Sequence, residues 1–465
     1  MALPNRQQPR GMDLRGRRVG VFGMARSGLA AAAFLKRKGA QVVVFDQKPA
    51  EALANELAEL GELGVEALAG VQKYDELGAL ETLIVSPGVP VDHSFLARAR
   101  GGCVEIISEI ELAWRFCPAP MVAVAGTNGK GSTTTILGEM LRAGGLSVTV
   151  AGNIGTPLIS VVEGDWDVVV AEVSSFQLET IADFHPWAAI LLNITPDHLD
   201  RHGTFEGYVA AKARLFKNMR EGDTAVVNVD NEAARQVAQS LPFEALRVAA
   251  ACKEPLAACV EGDELLVQLP SEQNPVTVCR RSDLSVRGEH YLTNALCAAA
   301  VALSAGCTAD AIRTGVRSWR PVDHQLTEVA VINGVRYVDD SKATNPASAV
   351  ADLNTVEGPV IVIAGGLTKG LRMRDFAEAL ARRARAAFLI GEGAGEIAAD
   401  IAGRIPATLS GTLEEAVRAA HAVAEPGDTV ILAPACASFD QFRGQAQRGE
   451  RFAEAVRALG SGNKA

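Results

Sequence analysis

Met121-Val-Ala-Val-Ala-Gly-Thr-Asn-Gly-Lys-Gly-Ser-Thr-Thr-Thr135 decides how the rest of the chain is read. Met121 to Ala125 is a short, wholly apolar run of the kind that sits at the centre of a parallel sheet. Gly126, Gly129 and Gly131 let the backbone bend tightly and bring its N–H groups against a ligand. Lys130 puts a cation in the same turn, and Ser132, Thr133 and the threonines after them offer hydroxyls to a metal or a phosphate oxygen. A helix N-terminus behind such a turn attracts anions through free N–H groups and the helix dipole. Two positions depart from the strict phosphate-loop pattern. Val124 stands where a glycine is expected, and Gly131 stands where Ser or Thr follows the lysine. Strand, turn and helix nevertheless come in the right order. The loop therefore reads as a triphosphate cradle, against the plainer alternative of a strand-to-helix turn that happens to hold a lysine.

Upstream, Arg18-Val-Gly-Val-Phe-Gly-Met-Ala-Arg-Ser-Gly28 is a strand running into a glycine turn and an Ala/Leu-rich helix, and Gln41 to Asp46 is the next strand. This is a βαβ unit, whose ligands bind at the carboxyl ends of the strands. Its glycine spacing is not G-x-G-x-x-G, so it makes no case for NAD. Asp46 either holds a ribose hydroxyl or simply ends a strand. Thr82 to Gly88 is another buried strand, closed by Pro87-Gly88. Residues up to about 118 thus form a small, mostly parallel α/β domain, and Cys117-Pro-Ala-Pro120 is a stiff linker out of it.

Downstream, Ser147 to Pro157 is a strand and turn carrying Asn153, and the strand from Asp167 delivers Glu172 at its end. A carboxylate there suits Mg²⁺, which takes oxygen ligands shared with substrate phosphates; a capping or ion-paired acid is the alternative. Ala188 to His202 is a third strand ending in Asp197, His198, Asp200, Arg201 and His202, a crowd that favours a site role for His198. Lys212 lies in an amphipathic helix and by composition is an exposed lysine. Glu289 to Ala300 opens a long Ala-rich helix holding His290 and Asn294. The pattern changes near Arg320-Pro-Val-Asp-His324. Beyond it, two short strands meet at Asn333-Gly334, a strong hairpin signal. Three later strand ends carry Lys342, Lys369 and Ser438, and basic groups at one sheet edge suit an acidic small substrate.

The chain has 465 residues, enough for roughly three domains. Its 48% hydrophobic and 22% charged content is that of a soluble globular protein, and a formal charge of −10 argues against generic nucleic-acid or anionic-membrane binding. Eight cysteines show no C-x-x-C pair and no Cys/His cluster for zinc; scattered thiols in a long chain fit a reducing compartment. Met1 to Arg18 is polar and Arg-rich, without a signal-peptide core, and no run of about 18 apolar residues could span a bilayer. The expectation is a cytoplasmic enzyme.

With these residues in view, the chain resembles the Mur ligase family along nearly its whole length. Shared stretches are Gly126-Thr-Asn-Gly-Lys130, Gly152-Asn-Ile-Gly155, Glu172-Val-Ser-Ser-Phe-Gln-Leu-Glu179, Asn193-Ile-Thr-Pro-Asp-His-Leu-Asp200, Asp340-Ser-Lys-Ala-Thr-Asn345 and Pro434-Ala-Cys-Ala-Ser-Phe-Asp-Gln-Phe442. The first four are family-wide; the last two resemble the member that adds D-glutamate. The resemblance implies an α/β protein of three domains: an N-terminal Rossmann-like domain (1–118), a central P-loop ATPase domain (119–323) and a C-terminal Rossmann-like domain (324–465). It implies a monomer that uses Mg²⁺ and ATP to phosphorylate the carboxylate of UDP-N-acetylmuramoyl-L-alanine. The amine of D-glutamate then attacks the acyl phosphate, in the peptidoglycan synthesis that cell shape and division require.

By the same resemblance, Gly126, Thr127, Asn128, Gly129, Lys130, Gly131, Ser132 and Thr133 hold the ATP phosphates, Asn294 contacts adenine and Asp340 the ribose. Ser132, Glu172 and His198 bind the metal, joined by Lys212 as a carbamate. Gly23, Met24, Ala25, Arg26, Ser27, Asp46, Ser86, Gly88 and Asn153 hold the uridine-linked substrate. Lys342, Thr344, Lys369, Ser438 and Phe439 line the D-glutamate pocket. Three positions depart from the family pattern. Gly131 resembles the loop of folylpolyglutamate synthase, Tyr291 replaces an Asn beside His290, and Gln325 replaces an Arg that reaches the γ-phosphate. The alternatives are accordingly a folylpolyglutamate synthase-like ligase and a nucleotide-binding homologue without ligase activity.

Overall fold

The structure, a computed structural model, describes residues 3–4, 11–252 and 256–461. It holds three sheets. The first contains β1 (Arg18–Phe22), β2 (Gln41–Asp46), β3 (Glu66–Ala69), β4 (Thr82–Val85) and β5 (Glu105–Ser108), in the order β3-β2-β1-β4-β5. All its neighbours are parallel. The helix Arg26–Arg37 buries Ala31, Ala32, Phe34 and Leu35, and closes with Lys36 and Arg37, cations that suit a helix C-terminus.

The second sheet is built from β6 (Met121–Ala125), β7 (Val148–Gly152), β8 (Val168–Glu172), β9 (Ala188–Leu191), β10 (Thr224–Asn228), β11 (Leu246–Ala251), β12 (Ala258–Glu261), β13 (Glu264–Val267) and β14 (Val276–Arg280). Its order is β14-β13-β12-β11-β10-β9-β6-β8-β7. The strands from β7 across to β12 run parallel, and β13 and β14 append as antiparallel edge strands. β6 lies inside the sheet between β8 and β9, and none of its residues is more than 2% exposed. An apolar run without alternation can do that only where helices cover both faces.

The third sheet has β15 (Thr327–Ile332), β16 (Val335–Asp339), β17 (Val360–Gly365), β18 (Ala384–Ile390), β19 (Ala407–Gly411) and β20 (Thr429–Leu432), in the order β15-β16-β20-β17-β18-β19. Only the β15–β16 hairpin is antiparallel. It turns through Asn333 and Gly334 with φ of 52° and 78°, the positive pair a tight two-residue hairpin needs.

The chain divides into two compact units. One contains the residues up to Ile194 with Glu206–Leu284 and Leu292–Trp319; the other contains Thr195–Phe205, Ser285–Tyr291 and the chain from Arg320 onward. The first two sheets share the first unit. They are joined by the helix Glu109–Phe116, whose Glu111 is fully buried. Its carboxylate accepts the N–H groups of Ala182 (2.9 Å), Asp183 (3.1 Å) and Phe184 (2.8 Å) and pairs with Arg115 at 2.8 Å. Glu109, two residues earlier, accepts the Ile159 N–H at 2.6 Å.

The cysteines correct one expectation. Cys252 and Cys259 form a disulfide with Cα atoms 5.2 Å apart, because β11 and β12 are neighbours in the sheet. The argument from scattered thiols to a reducing compartment therefore does not hold. Among the described residues, no helix is long and apolar enough to cross a membrane.

Candidate active site

In the first unit, the loop after β6 is a wound turn locked to the end of β9. The Thr127 N–H donates to Asn193 O at 2.8 Å. The Asn128 N–H donates to Asn193 Oδ1 at 2.9 Å, and Asn193 Nδ2 returns a bond to Asn128 O at 3.0 Å. Gly129 caps the helix Lys130–Ala143 in the left-handed region at φ 82°. A Cβ there would lie 2.7 Å from Asn294 Oδ1, so the absent side chain is what lets Asn294 close on the loop. The Lys130 ammonium folds over the turn and donates to Gly126 O (3.0 Å) and Thr127 O (2.8 Å).

Glu172 ends β8 beside this turn, 5% exposed, with Oε1 accepting Asn153 Nδ2 at 2.7 Å. The two residues read separately from sequence are thus hydrogen-bonded partners. Lys212 overturns its reading as an exposed lysine. It is 1% exposed, donates to Gly126 O at 2.8 Å and lies 4.6 Å over the Tyr208 ring. Its helix, Phe205–Ala213, turns Tyr208, Ala211 and Lys212 inward together. Spacing could not show this, because a lysine on the inward face reads as polar. Tyr208, which the sequence reading passed over, also meets Thr127, hydroxyl to hydroxyl, at 3.2 Å.

Could these residues take Mg²⁺? Among the described residues, no three His, Cys, Asp or Glu side chains gather as a cage. Mg²⁺ does not ask for one: it binds through one or two carboxylates plus substrate phosphates. The residues fit that demand. Glu172 supplies a buried carboxylate, and the first turn of the helix supplies Ser132 and Thr133, whose buried Oγ1 has no hydrogen-bond partner. Lys212 as an ammonium has no lone pair to offer a metal. His198 belongs to the other compact unit, in the segment Thr195–Phe205.

At the first sheet, Asp46 holds its own strand-end turn. Its carboxylate accepts the N–H groups of Met24 and Lys48, both at 3.0 Å. The turn it holds includes Gly23 at φ 103°, whose carbonyl accepts the Ser86 hydroxyl at 3.1 Å. A Cβ on Gly28 would stand 1.9 Å from Gly23 O, so the helix approaches the turn as closely as a glycine permits. Arg26 and Gly88 are exposed, and Ser27 is half-buried.

In the second unit, three strand-end loops meet. Lys369, at φ 52°, pairs with Asp197 at 2.9 Å. Burial alone would raise the Asp197 carboxyl, but Lys369 and His198 outweigh it and hold it below the usual range. His198 sits 3.6 Å from the same carboxylate. The Lys342 N–H donates to His324 O, and Ala343 N–H to Asp340 O, fixing the turn that carries Lys342 and Thr344. Ser438 is 2% exposed, whereas Phe439 stands 70% exposed. Asp340 is fully buried.

Arg448, in the helix Gln445–Ser461, is the residue sequence reading missed altogether. It is completely buried, and burial lowers its guanidinium to about 10. It donates to Ser341 Oγ (3.0 Å), Ser341 O (2.9 Å) and Cys436 O (3.1 Å), tying two of the strand-end loops together. Tyr291, one of the three departures from the family pattern, is 1% exposed, and burial raises its phenol well above the usual range.

Comparison with known proteins places this arrangement. The profile of the Mur ligase MurD-like N-terminal domain matches residues 17–108, the Mur ligase middle domain 124–302, and the Mur ligase glutamate ligase domain 325–436. The UDP-N-acetylmuramoylalanine--D-glutamate ligase of Acidobacterium capsulatum is 40% identical over 451 residues, covering 96% of this chain and 97% of that one. That of Caldanaerobacter subterraneus subsp. tengcongensis is 40% identical over 459 residues, covering 96% and 100%. Among solved structures, the UDP-N-acetylmuramate-alanine ligase MurC of Thermotoga maritima has the same fold, with a TM-score of 0.60 at 19% identity over 95% of this chain and 99% of that one. E. coli FolC in complex with ADP gives 0.54 at 20% identity, over 75% of this chain and 93% of its own. Three consecutive domain matches and end-to-end relatives at this identity leave one conclusion: the chain belongs to the Mur ligase family.

Proposed function

We propose that the chain joins D-glutamate to UDP-N-acetylmuramoyl-L-alanine at the expense of ATP, in the cytoplasm and as a monomer, as a step of peptidoglycan synthesis. The end-to-end relatives named for that reaction support the substrates, and the wound loop with its buried Glu172 and Lys212 supports ATP as the activator. That loop is the observation that carries the reading. We assign the three domains to residues 1–118, 119–323 and 324–465.

A carboxylate is a poor electrophile, so its oxygen must first become part of a leaving group. The carboxylate oxygen takes the γ-phosphoryl group, the bond to the β-bridging oxygen breaks, and ADP leaves. The D-glutamate amine then attacks the acyl carbon, loses a proton and expels phosphate. Phosphoryl transfer is mostly positioning and charge neutralisation. Lys130 and the N–H groups of residues 126–133 neutralise and seat the phosphates, and Asn294 seats adenine. Ser132 and Glu172, with Lys212 once carbamylated, would hold Mg²⁺, whose contribution is to neutralise charge on the transferring group. The turn at Gly23, together with Ser86 and Asn153, holds the uridine-linked acid; Lys342, Thr344, Lys369, Ser438 and Phe439 receive the amino acid.

The folylpolyglutamate synthase reading is weaker, since residues 17–108 match the Mur ligase MurD-like N-terminal domain. Phosphate release measured with each of the three substrates omitted in turn tests the assignment. Release should require all of them, and release with a folate and L-glutamate instead would transfer the assignment to that relative.

A further inference from the structure

Asp197 is a buried acid with no task in the proposed reaction. It belongs to the second unit, as Lys369 does, and is 5% exposed. Its Oδ1 takes two donors at once, the Lys369 ammonium at 2.9 Å and the His198 N–H at 2.8 Å. Its Oδ2 lies 3.6 Å from His198 Nε2. One carboxylate thus holds a cation from the loop after β17 and the turn of its own loop. The lysine side chain is only 15% exposed, so the pair sits largely out of water.

Both residues that meet this carboxylate have a backbone that side chains rarely adopt, with φ of 51° at His198 and 52° at Lys369. Such residues stay strained unless their surroundings enforce the conformation. The bond from the His198 N–H to Asp197 Oδ1 closes the first of these turns. At the second, Gly370 follows at φ 73° and the Leu371 N–H donates to Thr368 O at 3.0 Å. The Lys369 loop is also fastened to the loop after β20. Leu367 and Ala437 exchange both backbone hydrogen bonds, at 2.9 and 3.0 Å, which sets the place of Ser438 next in the chain. Stability alone does not call for a charge pair here, because desolvating two ions is a cost that apolar side chains avoid. What the pair supplies is a fixed place for a cation on a flexible stem.

We propose that Asp197 is a positioning residue for amino-acid binding, which holds the Lys369 ammonium at the loop fastened to that of Ser438. An ammonium has donors to spare after Asp197 has taken one, and these face an arriving carboxylate without first having to be ordered. The effect on D-glutamate rests on the reaction proposed above; the hold on Lys369 does not.

Asp197→Asn tests it, since it keeps an acceptor for the His198 N–H and removes the charge. It should raise the KM for D-glutamate by roughly tenfold, change the KM for ATP by less than about twofold, and leave Tm near that of the wild type. In the Lys369→Ala background the same substitution should add nothing to the KM for D-glutamate, because the partner is gone. A second readout needs no substrate: acylation of Lys369 by an amine-reactive ester, followed by mass spectrometry with the surface lysines as reference. Loss of the anion frees the amine and favours its reactive neutral form, so Lys369 should react roughly fivefold faster or more in Asp197→Asn. Equal losses for both substrates with a lowered Tm, or an unchanged acylation rate, overturn the proposal. Wild-type protein that does not turn over D-glutamate would sink the proposed reaction, and the acylation rates would still judge the hold on Lys369.

Discussion

Lys212 shows most sharply what a single side chain can hide. A lysine with 1% exposure donates to a backbone carbonyl and lies against an aromatic ring, out of water. The carbamate proposed for it would turn the cation into an anionic oxygen ligand. Lys212→Ala should therefore lower kcat by about a hundredfold or more, with partial rescue by short carboxylic acids. No rescue at any concentration would count against carbamylation. Glu109 makes a separate prediction about pH. Burial raises its carboxyl from 4.5 to about 7, against the bonds from Ile159 and Leu158 that lower it. The folded chain thus keeps a proton that the unfolded chain releases above about 4.5. Stability from this group is full at low pH and disappears as pH rises through about 7, a change of roughly 3 kcal/mol. Glu109→Gln should remove that slope from chemical denaturation measured between about pH 4.5 and 7, the interval between the two values; an unchanged slope would contradict the assignment.

The elements explain how far sequence could go. β6, β8 and β9 were legible because each is an apolar run ending in chemistry, and the hairpin at Asn333-Gly334 was legible because only certain residues tolerate its backbone. Lys130, Glu172 and Asn153 were legible for the same reason: a strand end fixes where they stand. Arg448, Tyr208 and Glu111 were not, because each acts from a helix, where a polar residue on the buried face looks like one on the solvent face. The disulfide at Cys252 was missed because it depends on which strands are neighbours. Two predictions belong to the loops. Gly129→Ala combines a left-handed backbone with a contact of 2.7 Å to Asn294, so nucleotide binding should weaken by roughly tenfold or more while the fold persists. Calorimetric titration of ATP reads this, and unchanged affinity would mean the loop tolerates the extra atom. Lys369→Ala should raise the KM for D-glutamate far more than that for ATP; equal changes in both would remove Lys369 from the amino-acid pocket.

For the whole molecule, the proposed reaction divides into three jobs, holding a nucleotide-linked acid, activating it and delivering an amine, and the proposal gives one sheet's strand ends to each. Family membership rests on end-to-end relatives, and the substrates follow as the proposal drawn from them. The composition argued against generic nucleic-acid and membrane binding, yet it could not reveal which acid or which amine; only the residues at the strand ends bear on that. The direct measurement is mass spectrometry of the product formed from UDP-N-acetylmuramoyl-L-alanine, Mg²⁺-ATP and glutamate of either hand. The account predicts a new species heavier by one glutamate residue, formed with the D enantiomer, together with ADP and phosphate. Nucleotide binding without any such product, or glutamate added to a folate instead, would contradict it.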